Sequence, residues 1–518
     1  MQNKNNMNYE YEHIEPEKFA FAQLDADIHD KKLETKSRGY FADALIRFKK
    51  NKSSVIAAYI ILIIIIFTII SPLLSPYDIE DVDKVYTNAP PFVRVISDLN
   101  LGIMNGAVTH ESQNEVQYAY WQGIAKETGY NPLIKIVDTY TTVSMFRGQE
   151  KTSYTYKLQT NKYYETGVVY RTVSYEEFQK IQDFQNETGI QVIYPYVESK
   201  DIYNITDNPN IWYEVSDAKG TPKRDASGNF VFNPVYSKNT NMAGAEYNSL
   251  RIEGDDGSYI YSYQKSGAVH IRVCYYNYYT YLNGHEPIYI FGTNSLGQDL
   301  FSAIGVGSRF SLVFALVVSA INLSIGAVYG SIQGYYGGVI DLVLDRISDI
   351  LSCVPFTVVT ILFQFHLAQK VGPVVSFLFA FVLTGWIGMA ALTRKQFYRF
   401  KSQEFVFAAR TLGASDARLM FKHIFPNSLG TIITSCALVI PSVISSETSL
   451  TYLGIINLSE LAGTSIGTLM SQGQTSMTTS PHAMFFPALY FSLLLISFNL
   501  FGNGLRDAFN PSTRGVED

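Results

Sequence analysis

Long uncharged apolar runs are interspersed with polar stretches along this chain, and the runs are long enough to cross a bilayer. Ser54–Leu74 (SVIAAYIILIIIIFTIISPLL) carries no charge, over the roughly 20 residues that a helix needs to span a hydrocarbon core of about 30 Å. Five further runs read the same way, Ser311–Ile332, Ile350–Leu367, Val374–Leu392, Leu429–Val443 and Phe485–Leu500, giving six predicted spans. More than fifty residues precede the first run and it closes on Pro72 and Pro76. It therefore reads as a membrane helix and not as a secretory signal with a small-residue cleavage site. Pro355 and Pro441 interrupt spans three and five, where each removes a helix hydrogen bond and permits a bend. They are hinge candidates, with a fixed kink as the alternative. Ser445, Ser446, Glu447 and Thr448, at the outer end of span five, either line a pathway or cap a turn outside the membrane.

Basic residues orient these spans. Arg47, Lys49, Lys50 and Lys52 precede the first run, whereas Asp78, Glu80, Asp81 and Asp83 follow it. The N-terminus is expected inside, and six crossings return the C-terminus to the same side. The loop between spans four and five then faces the cytoplasm. It carries Arg394, Lys395, Arg399, Lys401, Arg410, Arg418 and Lys422 against Glu404 and Asp416, so its own charge agrees. The positive-inside rule alone explains this excess; specific recognition of acidic groups is the alternative.

Between the first two runs lies a polar block, 77–298, long enough for an independent outer domain. It holds 27 of the 37 tyrosines. Alternation in Tyr259–Tyr263 and Ala268–Tyr276 predicts strands, while Phe178, Ile181 and Phe184 on one face of 174–187 predict an amphipathic helix. The block is read as α+β. Tyrosine suits binding surfaces, where an apolar ring and a polar tip are both used, but it is equally a good strand former on a wet sheet. His270 and His285 stand alone, and neither a metal-ligand spacing nor a Gly-x-Ser-x-Gly elbow occurs, which argues against a hydrolase.

Composition adds little until it is taken by region. A mean hydropathy of +0.04 and 17% charged residues describe a soluble protein only because the polar block dilutes the apolar runs. The formal net charge of -6 gives no basis for nucleic-acid binding. Cys274, Cys353 and Cys436 form no disulfide framework. No Gly-x-x-x-x-Gly-Lys-Ser/Thr loop occurs, and Gly305-Val306-Gly307-Ser308 lacks the lysine. The chain is expected not to be an enzyme and to bind no cofactor itself. Asp341, Asp345 and Asp349 recur at helical spacing around Arg346 and read as a carboxylate–arginine pairing at a membrane face, with a proton relay as the alternative.

The most informative stretch is Glu404–Pro426, EFVFAARTLGASDARLMFKHIFP: a helical Ala-Ala segment, a Gly turn and a second helix closed by Ile424-Phe425-Pro426, wedged between two spans where a soluble partner can dock. Together with the RFKKNKSSV lead into span one, its PLLSPYD exit, GTNSLGQDLFSAIGVGSRFSL, GYYGGVIDLVLDRISDILSCVP, SETSLTYLG, SIGTLM and FNLFGNGLRDAFNP, it closely resembles the permease subunits of binding-protein-dependent ABC importers. The resemblance lies in the oligopeptide, dipeptide and nickel branch, and is to the second, six-span permease. It covers Gly39–Pro76 and Gly292–Pro511, on both sides of the polar block.

The resemblance implies an all-α membrane domain of six transmembrane helices in the type I ABC importer fold, with the α+β block as an extracellular insertion. The expected plan is a cytoplasmic segment 1–53, a first span 54–75, the insertion 77–298, a permease domain 299–505 and a cytoplasmic tail 506–518. The partners it implies are a second homologous permease, two ATP-binding subunits that hold the ATP and Mg, a lipid-anchored extracellular binding protein and a peptide substrate, oligopeptides first. In the family, the loop corresponding to 404–426 couples to the ATPase subunits. Carried over by motif, the coupling residues are Ala408, Ala409, Arg410, Gly413, Ile424 and Pro426. The family's glutamate position is occupied by Phe407, so either Glu404, one turn earlier, replaces its ion pair, or Phe407 anchors by burial worth roughly 1.5–3 kcal/mol. A proton-driven secondary transporter and a membrane-anchored sensor are the rival readings. The first would show charges at mid-membrane and internal repeats, the second one or two spans and an inner signalling domain.

Overall fold

The computed structural model of the protein describes residues 40–99, 101–146, 149–199, 213–214, 221–232, 235–237, 249–253, 256–456 and 464–509. A short helix, α1 (Tyr40–Lys50), ends in the basic turn Arg47, Lys49, Lys50, charges that complement a helix C-terminus. The Asn51 side chain then caps α2 (Lys52–Leu74), accepting from the Ser54 N–H. Helix α2 inverts the soluble pattern. Its buried side holds Ser54, Ala57, Ile64, Thr68 and Ser71, while Ile56, Tyr59, Ile63 and Leu73 point outward. Small and hydroxylated residues on the packed face with large apolar ones outside is the arrangement of a helix whose outer solvent is lipid.

Among the described residues the polar block holds three sheets, and two antiparallel ones with three of its helices form the main part; a small mixed sheet joins Val197–Ser199, Val235–Ser237 and Ser249–Glu253. β1 (Ala107–Asn114), α3 (Glu115–Thr128), β2 (Leu133–Phe146) and β3 (Gln149–Asn161) give a sheet of order β1-β3-β2. They are followed by β4 (Val168–Val173), α4 (Tyr175–Thr188), β5 (Ile193–Tyr194), β6 (Ser262–Lys265), β7 (Ala268–Cys274) and α5 (Tyr275–Asn283). Here β7 is central and pairs with β4, β5 and β6. Helix α4 matches the sequence expectation, with Ser174 as its N-cap and Gly189 at φ +72° as its stop. The predicted strand Ala268–Tyr276 ends at Cys274, because Tyr275 opens α5. Of Tyr259–Tyr263, only Ser262 and Tyr263 are in a strand.

Many of the described tyrosines are core, which neither a binding surface nor a wet sheet anticipates. Tyr77, Tyr86, Tyr163, Tyr276, Tyr279 and Tyr289 pack with Ile271 and Val273 in one buried cluster. Most of their hydroxyls find partners inside the fold: Tyr163 donates to the Pro90 carbonyl at 2.9 Å, Tyr86 to the Tyr163 carbonyl at 3.3 Å, and Tyr279 and Tyr289 meet at 3.1 Å. A phenol with a partnered tip can serve as a core residue. Beside this core, Arg272 and Glu127 form a bidentate pair with both side chains almost fully excluded from solvent, and Arg272 also donates to the Pro195 carbonyl at 3.1 Å. Arg272→Met leaves the Glu127 carboxylate buried without its cation and is expected to destabilise the block by about 3–5 kcal/mol. Limited proteolysis of the full-length protein should then cut within the block under conditions where the wild type resists.

The chain leaves the block through Asp299, whose carboxylate accepts from the Ser302 N–H at 3.0 Å and so caps the 37-residue helix α6 (Leu300–Tyr336). Next come α7 (Gly338–Ser352), α8 (Phe356–His366), α9 (Pro373–Gly385), α10 (Ile387–Phe400), α11 (Glu404–Thr411), α12 (Phe425–Tyr452), α13 (Ile466–Thr475) and α14 (His482–Phe509). Among the described residues, five helices are long and apolar enough to cross a membrane, or six if a bent pair counts as one span. That pair is α7 and α8, which meet at 72°. The run Ile350–Leu367, expected as one span, is therefore split. Pro355, immediately before α8, supplies no N–H and so cannot continue α7. Pro441 was expected to interrupt span five, but α12 runs through it unbroken. Val443 and Ile444 on the next turn are held in a cluster with Phe314 and Leu494, and this packing fixes the helix across the missing hydrogen bond.

A stripe of glycines sets a close helix contact in the bundle. Gly326, Gly330 and Gly334 on α6 lie against the turn before α10 and α10 itself. A β-carbon at Gly330 would sit 2.2 Å from the Ala390 carbonyl oxygen, and one at Gly326 2.8 Å from that of Trp386. Small residues four apart let two membrane helices approach to backbone contact.

Candidate functional site

Glu404–Pro426 forms a knob at the loop end of the bundle. The polar block joins α6 at its N-terminus, and the knob packs beside Tyr335 at its C-terminus. At 1.5 Å per residue, α6 separates the two ends by about 55 Å. The inner side of the knob is fixed by Val406, Leu419, Met420 and Ile424, buried with Tyr335 and Phe397, with Ala409 and Ala414 against them. Helix α11 ends at Thr411. Gly413 then takes φ +85°, a left-handed conformation that favours glycine, and the Ala414 N–H returns to the Ala409 carbonyl at 3.1 Å. The Tyr335 hydroxyl ties the knob to α6, accepting from Arg410 at 3.2 Å and donating to the Asp416 carboxylate.

The second half of the knob departs from the expectation that Ile424-Phe425-Pro426 closes a helix. Asp416–Arg418, a π-turn at Leu419–Ile424 and α12 run on as one helix. Pro426 sits in the first turn of α12, and the wider π-turn before it accommodates a residue that offers no N–H.

The outer side of the knob displays large apolar side chains among the exposed charges Glu404, Arg410, Arg418 and Lys422. Phe405 and Phe407 are 40% and 50% exposed and Leu412 is 88% exposed. Ala408 lies outward with them and Ala409 is half-buried, so the two alanines divide between the two faces. Glu404 is exposed beside Phe407. Phe405, Phe407 and Leu412 are thus displayed on a support packed against Tyr335 and Phe397, and exposed apolar groups of this kind suit contact with another protein.

Part of the charge beside the knob is paired within the chain, around Arg394. Arg394 reaches Asp341 at 2.6 Å and Asp345 at 2.7 Å, and the Tyr398 hydroxyl donates to Asp341 at 2.6 Å. The pairing expected around Arg346 thus belongs to Arg394, and Arg346 joins only Asp349, at an exposed 3.0 Å. A helix periodicity cannot reveal a cation delivered by another helix. Arg394→Met strands the nearly buried Asp341 and is expected to cost about 1–3 kcal/mol. Thermal unfolding of the detergent-solubilised protein should show the drop, with Arg394→Lys recovering only part of it because lysine cannot bridge both carboxylates.

The pathway candidates separate. Glu447 is fully buried within α12, accepting from Ser311 at 2.9 Å and from Thr448 at 3.3 Å, so it neither caps a turn nor faces an opening here. Ser445 is half-buried one turn from Pro441, which is itself buried. The opening lies on a neighbouring face of α12, where Val439, Ser442 and Ser446 line a cleft of about 240 Å³ together with Asn322, Thr384 and Phe356, the residue after Pro355. Only Ser446 of these was singled out in the sequence; the rest are brought together from four helices by packing alone.

Residues 326–515 match the family described as binding-protein-dependent transport system inner membrane component. Residues 39–91 match the N-terminal transmembrane domain of oligopeptide transport permease C. The oligopeptide transport system permease protein OppC of Bacillus subtilis is 39% identical over 224 residues, which are 43% of this chain and 72% of that protein. The dipeptide transport system permease protein DppC of the same organism is 36% identical over 225 residues, 43% and 69% respectively. Among solved structures, a chain of the MetNI methionine ABC transporter in an inward-facing conformation aligns over 40% of this chain and 96% of its own at 13% identity, with a TM-score of 0.32.

Proposed function

Because this chain belongs to the permease subunits of binding-protein-dependent ABC importers, in the group that includes the oligopeptide and dipeptide permeases, we propose that it forms half of a peptide translocation pathway and is driven through its 404–426 knob. The other half is a second, homologous permease. Two separate ATP-binding subunits supply the energy, and a lipid-anchored extracellular binding protein delivers the peptide. The N- and C-termini and the knob face the cytoplasm, residues 77–298 face outward, and the permease domain follows the type I importer plan with α7–α8 as its broken span.

The observation that carries this reading is the knob: Phe405, Phe407 and Leu412 displayed on a support clamped to α6 and α10 by Val406, Phe397 and Tyr335. An ATP-binding subunit that grips these side chains and closes moves the knob. Through the continuous helix from Asp416 to Tyr452, it also moves the lining of the cleft. This chain contributes no residue to ATP hydrolysis; its work is to convert the partner's closure into rearrangement of α6, α10 and α12. The exposed apolar side chains support Phe407 over Glu404 in the missing glutamate's role, with Glu404 as a flanking exposed charge.

The test is purification followed by reconstitution. A complex holding both permeases and two ATP-binding subunits, with peptide uptake that requires ATP, supports the proposal. Uptake that persists without the ATP-binding subunits would favour a proton-driven carrier instead.

A further inference from the structure

Glu447 is fully buried near the end of α12, one turn before Tyr452. Among the described residues its carboxylate meets hydroxyls and forms no ion pair. One oxygen accepts from Ser311 of α6 at 2.9 Å and from Thr448 at 3.3 Å, and the other lies 3.4 Å from the Thr451 hydroxyl. Thr451 in turn lies 3.5 Å from the hydroxyl of Ser465, the N-cap of α13. A carboxylate offers about four acceptor positions, so this one side chain gathers hydroxyls of α6 and α12 directly and reaches α13 through Thr451.

The backbones around it are in close contact. A β-carbon at Gly467, in the first turn of α13, would fall 1.8 Å from the Thr451 hydroxyl oxygen and 2.5 Å from the Thr448 carbonyl oxygen. The same segment buries Ile466 and Leu469 with Ala303 and Ile304 of α6. Helix α13 is thus wedged against both α6 and α12 beside the carboxylate. Neighbouring turns of α12 contribute apolar contacts, Val443, Ile444 and Leu450 in one cluster with Phe314 and Leu494. Apolar contacts are non-directional and let one helix slide past another. Hydrogen bonds weaken steeply with angle and so hold a register.

A buried ion without a counter-charge is costly, so the site works through its hydrogen bonds and not through its charge. We propose that Glu447 is a positioning residue for import, the joint at which movement of α12 is handed to α6 and α13. The inference rests on the ATP-driven import reading and adds to it the place where the stroke is delivered. The knob's second half and the carboxylate belong to one continuous helix, and from Asp416 to Glu447 it runs roughly 45 Å at 1.5 Å per residue. A knob displaced at one end shifts Glu447 at the other, and the hydroxyl set carries Ser311 and Ser465 with it.

The experiment uses the complete reconstituted transporter and measures peptide taken up per ATP hydrolysed. Glu447→Ala leaves the hydroxyls without their acceptor and should lower that ratio roughly tenfold, with ATP hydrolysis retained because the knob is untouched. Glu447→Gln should stay within about twofold of wild type, since its carbonyl oxygen accepts from Ser311 and Thr448 and its amide donates to Thr451. A Glu447→Ala ratio equal to wild type, including one in which uptake and hydrolysis fall together, would overturn the joint while leaving import intact. A Glu447→Gln ratio as low as that of Glu447→Ala overturns it too, because charge and not hydrogen bonding would then decide. Absence of ATP-dependent uptake in the wild type would instead overturn the import reading, and the joint with it. If Glu447→Ala does not assemble, Ser311→Ala removes the tie to α6 alone; it should lower the ratio in the same direction, and an unchanged ratio counts against the joint.

Discussion

Replacing Phe407 with alanine weakens the grip of the ATP-binding subunits roughly five- to tenfold and lowers ATP-driven uptake in proportion when those subunits are limiting. The magnitude follows from its placement. Phe407 is already half-covered by its own chain, so docking buries the remaining half, worth about 1–1.5 kcal/mol. Leu412 is far more exposed, and Phe407→Ala combined with Leu412→Ala should weaken the association on the order of 100-fold, provided the two contacts act independently. Glu404→Ala removes an exposed charge, for which a few tenths of a kcal/mol is the usual scale, and should change uptake less than twofold. Titrating purified ATP-binding subunits onto membranes holding each variant separates the apolar anchor from the ion pair: a larger loss for Glu404→Ala than for Phe407→Ala would reverse the assignment.

Gly330→Ala destabilises the permease, whereas Gly388→Ala, on the neighbouring helix, does not. Both substitutions gain the same helix propensity, about 1 kcal/mol. They differ in surroundings: a β-carbon at Gly330 meets the Ala390 backbone at 2.2 Å, and one at Gly388 meets nothing within 4 Å. The carbonyl cannot rotate away as a side chain would, so α6 and α10 must separate. Overpacking of this kind costs about 1–3 kcal/mol. Because α10 also carries Phe397, the base of the knob, the separation should lower uptake more than it lowers abundance. Size-exclusion profiles and thermal unfolding of the two variants in detergent are the measurements, with equal stability of both as the contrary result.

The apolar runs were legible because hydropathy reports what lipid requires, and every run except Ile350–Leu367, which the bend between α7 and α8 splits, falls within a helical segment. Their ends were not. Helix α6 extends well beyond Ser311–Ile332 through Ser302, Gly305, Gly307 and Ser308, small residues that pack against neighbouring helices and carry little hydropathy. Pro355 could be read as a break because proline cannot be carried into a helix without loss. Pro441 could not be distinguished from it, since what holds α12 straight is packing by distant residues. The knob's existence was legible from Ala408, Ala409 and Gly413. Its facing was not, because outward Phe405 and Phe407 and inward Val406 differ by one position and all three are apolar. The tyrosines misled in the other direction: burial in the block's core depends on hydroxyl partners such as the Pro90 carbonyl, far away in sequence.

The central claim is that an ATP-binding subunit grips the apolar side of the knob and moves it. Disulfide cross-linking of Phe407→Cys to single cysteines on the ATP-binding subunit, in the assembled transporter with and without ATP, tests it most directly. The account predicts a cross-link at one groove of that subunit whose yield changes when nucleotide binds. A knob cysteine that forms no cross-link to the ATP-binding subunit in a transporter that still imports peptide would contradict it.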